Sequence, residues 1–497
     1  MRNDMRNMKF PLWIAVALIA ITGMTGSCIE DGFTTSPTDS LAFNMDTVAF
    51  DTVITLQGTA TKQMIVYNRS PKQINISSIK VAGLSSKGHF YLNVDGIRGD
   101  SFSNVEIRGN DSIYIFIEAK LDEMEQNEPT FLEDLLLFET NGREQKVVLT
   151  AWGQDVVRLS GDTISSDRTF TADKPYLIYD TVFVSERATL TIDAGATLLF
   201  HDKAAMRIQG KMLANGTAEA PITFRGDRLD HIVGETGFDI MSGQWGGIIF
   251  TPRTKGNELK HVIMKGSTIG MYCTDNILDT AHCTLKLINC VLTNSASTCL
   301  VTYGCYVEAI GTEFSDAAEE VVFLQGGKVM MSQCTFTNNY LFKVPSLPIV
   351  QIYNIKHNNG FNDNIRARFD NCILHGLSSE LSAGTIELKA VGDTVLENNK
   401  LKLDGYNVYM RYCLFKSPEI NDSHFINCVW NADPCFLTVR DDKFFDYRLG
   451  NESDAIGKGN PLYCPDDARY DRYGVDRRAR GSIDLGAYAW VFIPEEE

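Results

Sequence analysis

Ile288-Asn-Cys-Val-Leu-Thr-Asn294, Ile310-Gly-Thr-Glu-Phe-Ser-Asp316 and Ser332-Gln-Cys-Thr-Phe-Thr-Asn338 superimpose at a spacing of 22 residues. Small or apolar residues alternate with mostly polar ones in each, and each ends in Asn or Asp. A period in the low twenties built from short alternating strands marks a solenoid, in which one coil cannot bury its apolar face alone and equivalent positions of successive coils stack. Strand side chains alternate faces, so Ile288/Ile310/Ser332, Cys290/Thr312/Cys334 and Leu292/Phe314/Phe336 are expected inside. Asn289/Gly311/Gln333, Val291/Glu313/Thr335 and Thr293/Ser315/Thr337 are expected outside. Asn294, Asp316 and Asn338 fall just after the strand. These residue types tolerate left-handed backbone and bond their own turn. They predict a polar ladder along one corner, a structural rather than a chemical feature.

The pattern extends both ways. Leu190 to Leu198, Ala205 to Leu213, Pro221 to Gly226 and Trp245 to Phe250 read as alternating strands with glycine bends. His261-Val-Ile-Met-Lys-Gly266 joins the repeat at a spacing of 28, with the excess assigned to a loop through Asp275 to Thr280. Beyond Asn338 the cysteines mark a stretched register: Cys334 to Cys372 is 38 residues, Cys372 to Cys413 is 41 and Cys413 to Cys428 is 15. Whole extra coils or long loops would explain the first two, and the strand-like Ile349 to Asn354 favours coils with enlarged loops. The third is too short for a full coil.

Eleven cysteines follow Cys28, all from Cys273 onward. An odd number cannot all pair, and those in the repeat occupy an inward slot, where free cysteine acts as a small buried hydrophobe. A stacked thiol column is expected, with disulfides left open and Cys299 and Cys305 one local candidate. No close Cys-x-x-Cys pair or matching His spacing is present, so no metal is expected.

The chain has 497 residues and a formal net charge of −17. Such a surface repels phosphate backbones and anionic membranes, which argues against a nucleic-acid partner. Arg2, Arg6 and Lys9 precede an apolar stretch from Pro11 to Ile21 that is short for a membrane span. It ends in Thr25-Gly26-Ser27-Cys28, which resembles a bacterial lipobox with Thr where Leu is usual. The alternative is an ordinary secretory signal. Cys28 is then the lipid attachment site, and Ile29-Glu-Asp-Gly-Phe33 after it resembles the surface-export signal of Bacteroidota lipoproteins. The lipid would be the only membrane contact, placing the protein at the outer membrane and exposed at the cell surface. The expected division is a signal peptide over 1–27, a tether over 28–41, an antiparallel Ig-like β-sandwich over 42–155 and a right-handed parallel β-helix over 156–490. The sandwich rests on short runs such as Thr47 to Thr55, Gln63 to Tyr67, Ile74 to Val81, Ile113 to Ala119, Leu135 to Glu139 and Val147 to Trp152. Turn clusters such as Asp95-Gly96 and Asn141-Gly142 separate them, and the acidic run Leu121 to Pro129 reads as a loop.

Asp46 to Val53, Asn93 to Gly96 and Asp111 to Ile117 resemble the N-terminal domain of Bacteroidota β-helix lipoproteins. Gln244 to Ile248, Ser332 to Tyr340, Phe445 to Leu449 and Ser453 to Gly457 extend the likeness, with Asp454 where Pro is usual. Asp471-Arg-Tyr-Gly-Val-Asp-Arg477 with Ile483-Asp-Leu-Gly-Ala487 resembles the terminal coil of pectate-lyase-like β-helix proteins. The resemblance implies a surface lipoprotein, mostly without assigned activity.

Fold alone does not give function. Glycosidases need two carboxylates spaced across the scissile bond; Asp441-Asp442 and Asp466-Asp467 are acidic pairs, better read as turn residues. Lys356, His357, Arg366 and Arg368 form a basic cluster that could receive an acidic sugar, and they are the candidate ligand-binding residues. No Walker loop, dinucleotide fingerprint or nucleophile elbow occurs, so no cofactor is expected. Two readings remain: a surface protein whose β-helix binds a polysaccharide or surface protein without catalysis, which is favoured, and a polysaccharide lyase or glycoside hydrolase on the same scaffold. An outward cleft that pairs Lys or Arg with carboxylates on neighbouring coils would favour the enzyme.

Overall fold

The computed structural model describes residues 32–233, 236–274, 281–345, 347–356, 362–363, 365–376, 388–391, 407–441 and 444–494. Two compact units emerge: residues up to 123 with 130–153, and 124–129 with residues 154 onward. Cys28 and the signal segment lie outside the described residues.

The first unit is an antiparallel sandwich of a five-stranded and a six-stranded sheet. Alternation drives it: in Lys62–Asn68, Met64 and Val66 are buried while Gln63 is exposed. Ile74–Val81 forms over the expected residues, Thr47–Ile54 stops one residue short, and the other runs lengthen to Lys62–Asn68, Ser112–Leu121, Thr130–Thr140 and Arg143–Gln154. Asn141 and Gly142 both take positive φ (53° and 73°), the turn that joins two twisted strands with two residues. The short strands Leu41–Phe43, Ile97–Gly99 and Val105–Ile107 carry too few alternations to be seen in sequence.

The second unit is a parallel β-helix. Its coils supply one strand each to three long parallel sheets. The first sheet runs from Val157–Ser160 to Leu414–Phe415, the second from Thr163–Ile164 to Leu388–Val391, and the third from Arg168–Phe170 to Phe425–Ile426. The period of 22 is real: Ile288 pairs Ile310, which pairs Ser332. Ser332 then pairs Asp370, and Asp370 pairs Arg411, so the spacings of 38 and 41 are single coils with enlarged excursions. Arg411 pairs Ile426 only 15 residues on. Among the described residues this last turn passes from Leu414–Phe415 in the first sheet to Phe425–Ile426 in the third with no second-sheet strand between, which explains the short interval.

The inside–outside assignment needs one correction. Leu292, Phe314 and Phe336 do point inward, and Phe314 stacks on Phe336 at 5.3 Å. Cys290, Cys334, Cys372 and Cys413 also belong to the interior. Ile288 and Ile310 do not: they point outward and are covered by Cys464, Ala468 and Ile483 from the C-terminal segment. Leu287, Ala309 and Met331 take the inner places instead. The cause is the corner itself. His261, Asn289, Gly311, Gln333, Asn371, Tyr412 and Asn427 stack in one column, all with φ between 46° and 58°. A left-handed residue reverses the alternation, so the two strands it joins are out of phase. At Gly311 a Cβ would lie 2.3 Å from Asn289 Oδ1.

The thiol column has a specific job at this corner. Cys290 Sγ donates to the carbonyls of Leu259 and Ile288 (3.3 and 3.4 Å), and Cys334 Sγ to those of Ala309 and Ser332 (both 3.4 Å). Cys372, Cys413 and Cys428 repeat the pattern, and Thr312 Oγ1 donates to Ile310 at 3.1 Å. The slot takes a small side chain that can donate a hydrogen bond. Burial pushes the Cys290 thiol up to about 12, so it is protonated and unreactive at neutral pH. None of these eleven cysteines is in a disulfide, Cys299 and Cys305 included.

A second correction concerns the C-terminus. Residues 471–487, which resemble a terminal coil, supply no strand to the three sheets. They return along the outside of the helix. Gln333 Nε2 donates to Asp484 O (2.9 Å), Gly486 N–H to Asn371 O (2.8 Å) and Asn289 Nδ2 to Tyr470 O (3.1 Å). Arg477 is only 2% exposed and donates to the Gly486 and Ala487 carbonyls. These polar corner residues bond to backbone that their own coil does not provide.

Candidate functional site

Outward side chains of three consecutive first-sheet strands, Val262–Lys265, Val291–Ser295 and Glu313–Ala317, form the floor of a cleft of about 860 Å³. One wall is the turn Thr236–Ile240, the other the C-terminal segment with Phe445, Tyr447, Arg448, Arg472, Tyr473 and Tyr488; Tyr340 and Leu341 complete the lining. The floor carries Glu313 (7% exposed) and Asp316 (4%).

Two phenol–carboxyl contacts join wall to floor. The Tyr447 hydroxyl lies 2.7 and 2.9 Å from the Asp316 oxygens, and Asn339 donates its backbone N–H to Asp316 Oδ1 at 2.9 Å. Tyr488 donates to Glu313 Oε2, and Ser315 Oγ donates to Glu313 Oε1 at 2.7 Å. Burial raises the Asp316 carboxyl from its ordinary 3.8 to about 7, against the Tyr447 and Asn339 hydrogen bonds that favour the anion; the Glu313 charge adds to the rise. Burial also raises Glu313, here opposed by Tyr488, Ser315 and the Arg472 charge. Both phenols are pushed well above 10, first by burial and then by these carboxyls, so they stay protonated donors.

The cations are distributed unevenly. Lys265 Nζ pairs with Asp239, and Arg448 pairs with Asp446 at 2.5 Å. Burial alone would raise the Asp239 carboxyl, but Lys265 and Arg225 bring it below its ordinary value. Arg472 lies over the ring of its neighbour Tyr473 (5.4 Å) and acts electrostatically on Tyr488 and Glu313. Asp316 has no ion-pair partner among the described residues. The lining therefore combines aromatic rings, two internally neutralised ion pairs and two protected carboxyls, an arrangement suited to a polar ligand with apolar faces.

No protein-family model matches the chain. No curated protein matches it. Solved structures that align with part of it include the VesB protease of Vibrio cholerae and a family 123 glycoside hydrolase from Clostridium perfringens. The first alignment has 11% identity over 24% of this chain and 33% of the protease, with a TM-score of 0.17. The second has 10% identity over 25% of this chain and 26% of the hydrolase, also with a TM-score of 0.17. The chain thus covers a third or less of each, and these alignments carry no argument about fold or chemistry.

The basic cluster proposed from sequence lies elsewhere. Arg366 and Arg368 are exposed on the third sheet, in register with Lys328 and Met330. Lys356 lies in a two-residue strand paired with Asn362–Asp363, and His357 falls outside the described residues. Neither arginine lines the cleft. Of the acidic pairs, Asp466 bonds Arg478 (3.1 Å) and Asp467 bonds Lys286 (2.5 Å), while Asp442 lies outside the described residues. Asn294 and Asp316 take left-handed backbone (φ 56° and 57°) and Asn338 does not; among the described residues the three side chains do not bond one another, and Asn338 instead bonds the Ala317 backbone one coil back, accepting from its N–H (3.2 Å) and donating to its carbonyl (2.9 Å). Asn294 Nδ2 donates to the Asp239 and Ile240 carbonyls, and Asp316 meets Tyr447. The sequence signal for this site was the acidic outward position Glu313 inside a repeat whose neighbouring coils carry Val291 and Thr335 there.

Proposed function

We propose that the protein is anchored at the outer membrane through an acylated Cys28 and binds glycan in the first-sheet cleft. The observation that carries the binding reading is the cleft lining: the exposed Tyr473 and half-buried Phe445 beside charged groups, backed by the buried Tyr340, Tyr447 and Tyr488, in a volume of about 860 Å³ that suits a few sugar rings. Aromatic rings offer apolar faces to sugar C–H groups, while the polar groups fix orientation. Tyr473, 54% exposed and cushioned by Arg472, is the ring best placed to meet a ligand. The test is retention of the purified full chain in gels containing single polysaccharides. Tyr473→Ala should weaken retention roughly fivefold, the ~1 kcal/mol of one aromatic contact. Equal retention of wild type in every gel and in a polysaccharide-free gel would remove the proposal.

A further inference from the structure

The inner thiol column is open at one end. Cys334, Cys372, Cys413 and Cys428 occupy equivalent places in four successive coils, since the residues two places before them, Ser332, Asp370, Arg411 and Ile426, pair in that order. The first three are fully buried. Cys428 is half-buried, because Phe425–Ile426 is the last third-sheet strand among the described residues. We propose that Cys413 and Cys428 are a redox-active pair that closes to a disulfide, with a small-molecule disulfide as oxidant, and so pins the last turn to the coil before it. The proposal is independent of the glycan-binding reading.

The register places the two sulfurs side by side. Arg411 pairs Ile426 before the cysteines, and Leu414 pairs Val429 after them. Tyr412 and Asn427, each just before its cysteine, share the left-handed conformation (φ 54° and 51°). Neighbouring strands stand about 4.8 Å apart, inside the ~4.4–6.8 Å between Cα atoms that a disulfide spans. The side chains point the same way. Each thiol donates to the carbonyl two residues back, Arg411 (3.5 Å) or Ile426 (3.8 Å), and to one in the preceding coil, Phe369 or Met410 (both 3.4 Å). Closure gives up only these weak S–H···O bonds. A bound metal is the other use of facing thiols, but among the described residues no group of three or more His, Cys, Asp or Glu side chains is arranged to hold one.

Access sets the order of the steps. Cys428, the reachable member, loses its proton to solvent, and its sulfur attacks one sulfur of oxidised glutathione. That S–S bond breaks and one glutathione thiolate leaves. The Cys413 thiolate then attacks the Cys428 sulfur and releases the second. At Cys413 burial is opposed by hydrogen bonds from the Cys372 and Cys428 thiols, which bring it below its ordinary 9.0 and suit it to this second step. Two thiol protons leave the protein, two electrons pass to the oxidant, and one disulfide replaces another. The link falls where it matters most. Among the described residues the last turn has no second-sheet strand, so fewer backbone bonds hold it than hold a full coil.

The experiment exposes the reduced full chain to oxidised glutathione and maps its cysteines by tryptic digestion and mass spectrometry. Lys416 lies between the two cysteines, so a link joins two separate peptides. The expected product carries a Cys413–Cys428 bond, while Cys334 and Cys372 stay reduced. Hydrogen exchange at the Tyr412, Phe415 and Val429 amides, which bond across the turn, should slow by roughly 100-fold, the effect of closing a loop of about 15 residues. Cys413→Thr, a side chain the same slot accepts at Thr312, should leave Cys428 as a mixed disulfide with glutathione. A wild-type chain that stops at that mixed disulfide, links Cys428 to Cys435 or leaves Cys428 a thiol would overturn the pair. Unchanged exchange in the linked chain would overturn the pinning. Should Cys413→Thr fail to fold, Cys428→Ser at the half-buried end decides. Cys413 should then take up no glutathione, and its modification would overturn the route through Cys428.

Discussion

Asp316 places a carboxyl where water scarcely reaches, and its protonation is therefore tied to folding. In the unfolded chain it titrates near 3.8, and in the folded protein near 7 because burial disfavours the anion. Its contribution to stability is full below pH 3.8 and is lost as pH rises through about 7. His375 works in the opposite sense: burial lowers it from 6.5 to about 4, so its contribution is full above 6.5 and is lost as pH falls through about 4. The two groups oppose each other across the same interval, with Glu313 acting in the same sense as Asp316 and His261 in the same sense as His375. Asp316→Asn removes one of these contributions. Between about pH 4 and 6.5, urea unfolding should show the stability of the variant rising with pH relative to that of wild type. Parallel profiles for the two proteins would mean that the folded Asp316 titrates like the unfolded one.

At the scale of strands and coils, the corner column sets what each strand can bury. Phe314 lies inside the helix between coils and Ile310 lies outside under the C-terminal segment, although they are four residues apart on one repeat. Phe314→Ala should cost about 3–5 kcal/mol, because neighbouring coils cannot collapse onto the void. Ile310→Asp should leave the coils intact and loosen the C-terminal segment, seen as new proteolytic cleavage beyond residue 450 at an unchanged solenoid melting temperature. If both variants melt the helix alike, the segment is an integral part of the solenoid. The same contrast shows what was legible in sequence. The period of 22, the sandwich strands and the thiol column are local, repeated patterns, and they were readable. The phase reversal at Asn289 was not, because φ at one residue is invisible in alternation of polarity. The cleft was not either: Asp316 reads as a turn residue until Tyr447, 131 positions later, is brought against it. Lys356 and Arg366 drew attention because clustered charge is visible in one dimension, whereas Lys265, Glu313 and Arg472 converge only through the coil stacking and the returning C-terminal segment.

For the whole molecule, the proposed acylation of Cys28 is an expectation that can be tested directly. The expectation comes from Thr25-Gly26-Ser27-Cys28 after a short apolar run, and among the described residues no helix is long and apolar enough to cross a membrane. Two acyl chains on one cysteine bury enough methylenes, at about 0.8 kcal/mol each, for stable anchoring without a protein span. The acidic net charge of −17 offers no electrostatic help at an anionic surface, so the lipid would carry the whole attachment. Cys28→Ser should therefore move the protein from the membrane fraction of its host to the soluble exported fraction, while the purified variant keeps its glycan retention, since residues 29 onward are unchanged. Metabolic labelling with a palmitate analogue distinguishes the two readings of the leader. Wild type should take up label at Cys28 and the variant none, and an unlabelled wild type that fractionates as soluble would show an ordinary secretory signal with a cysteine beside its cleavage site.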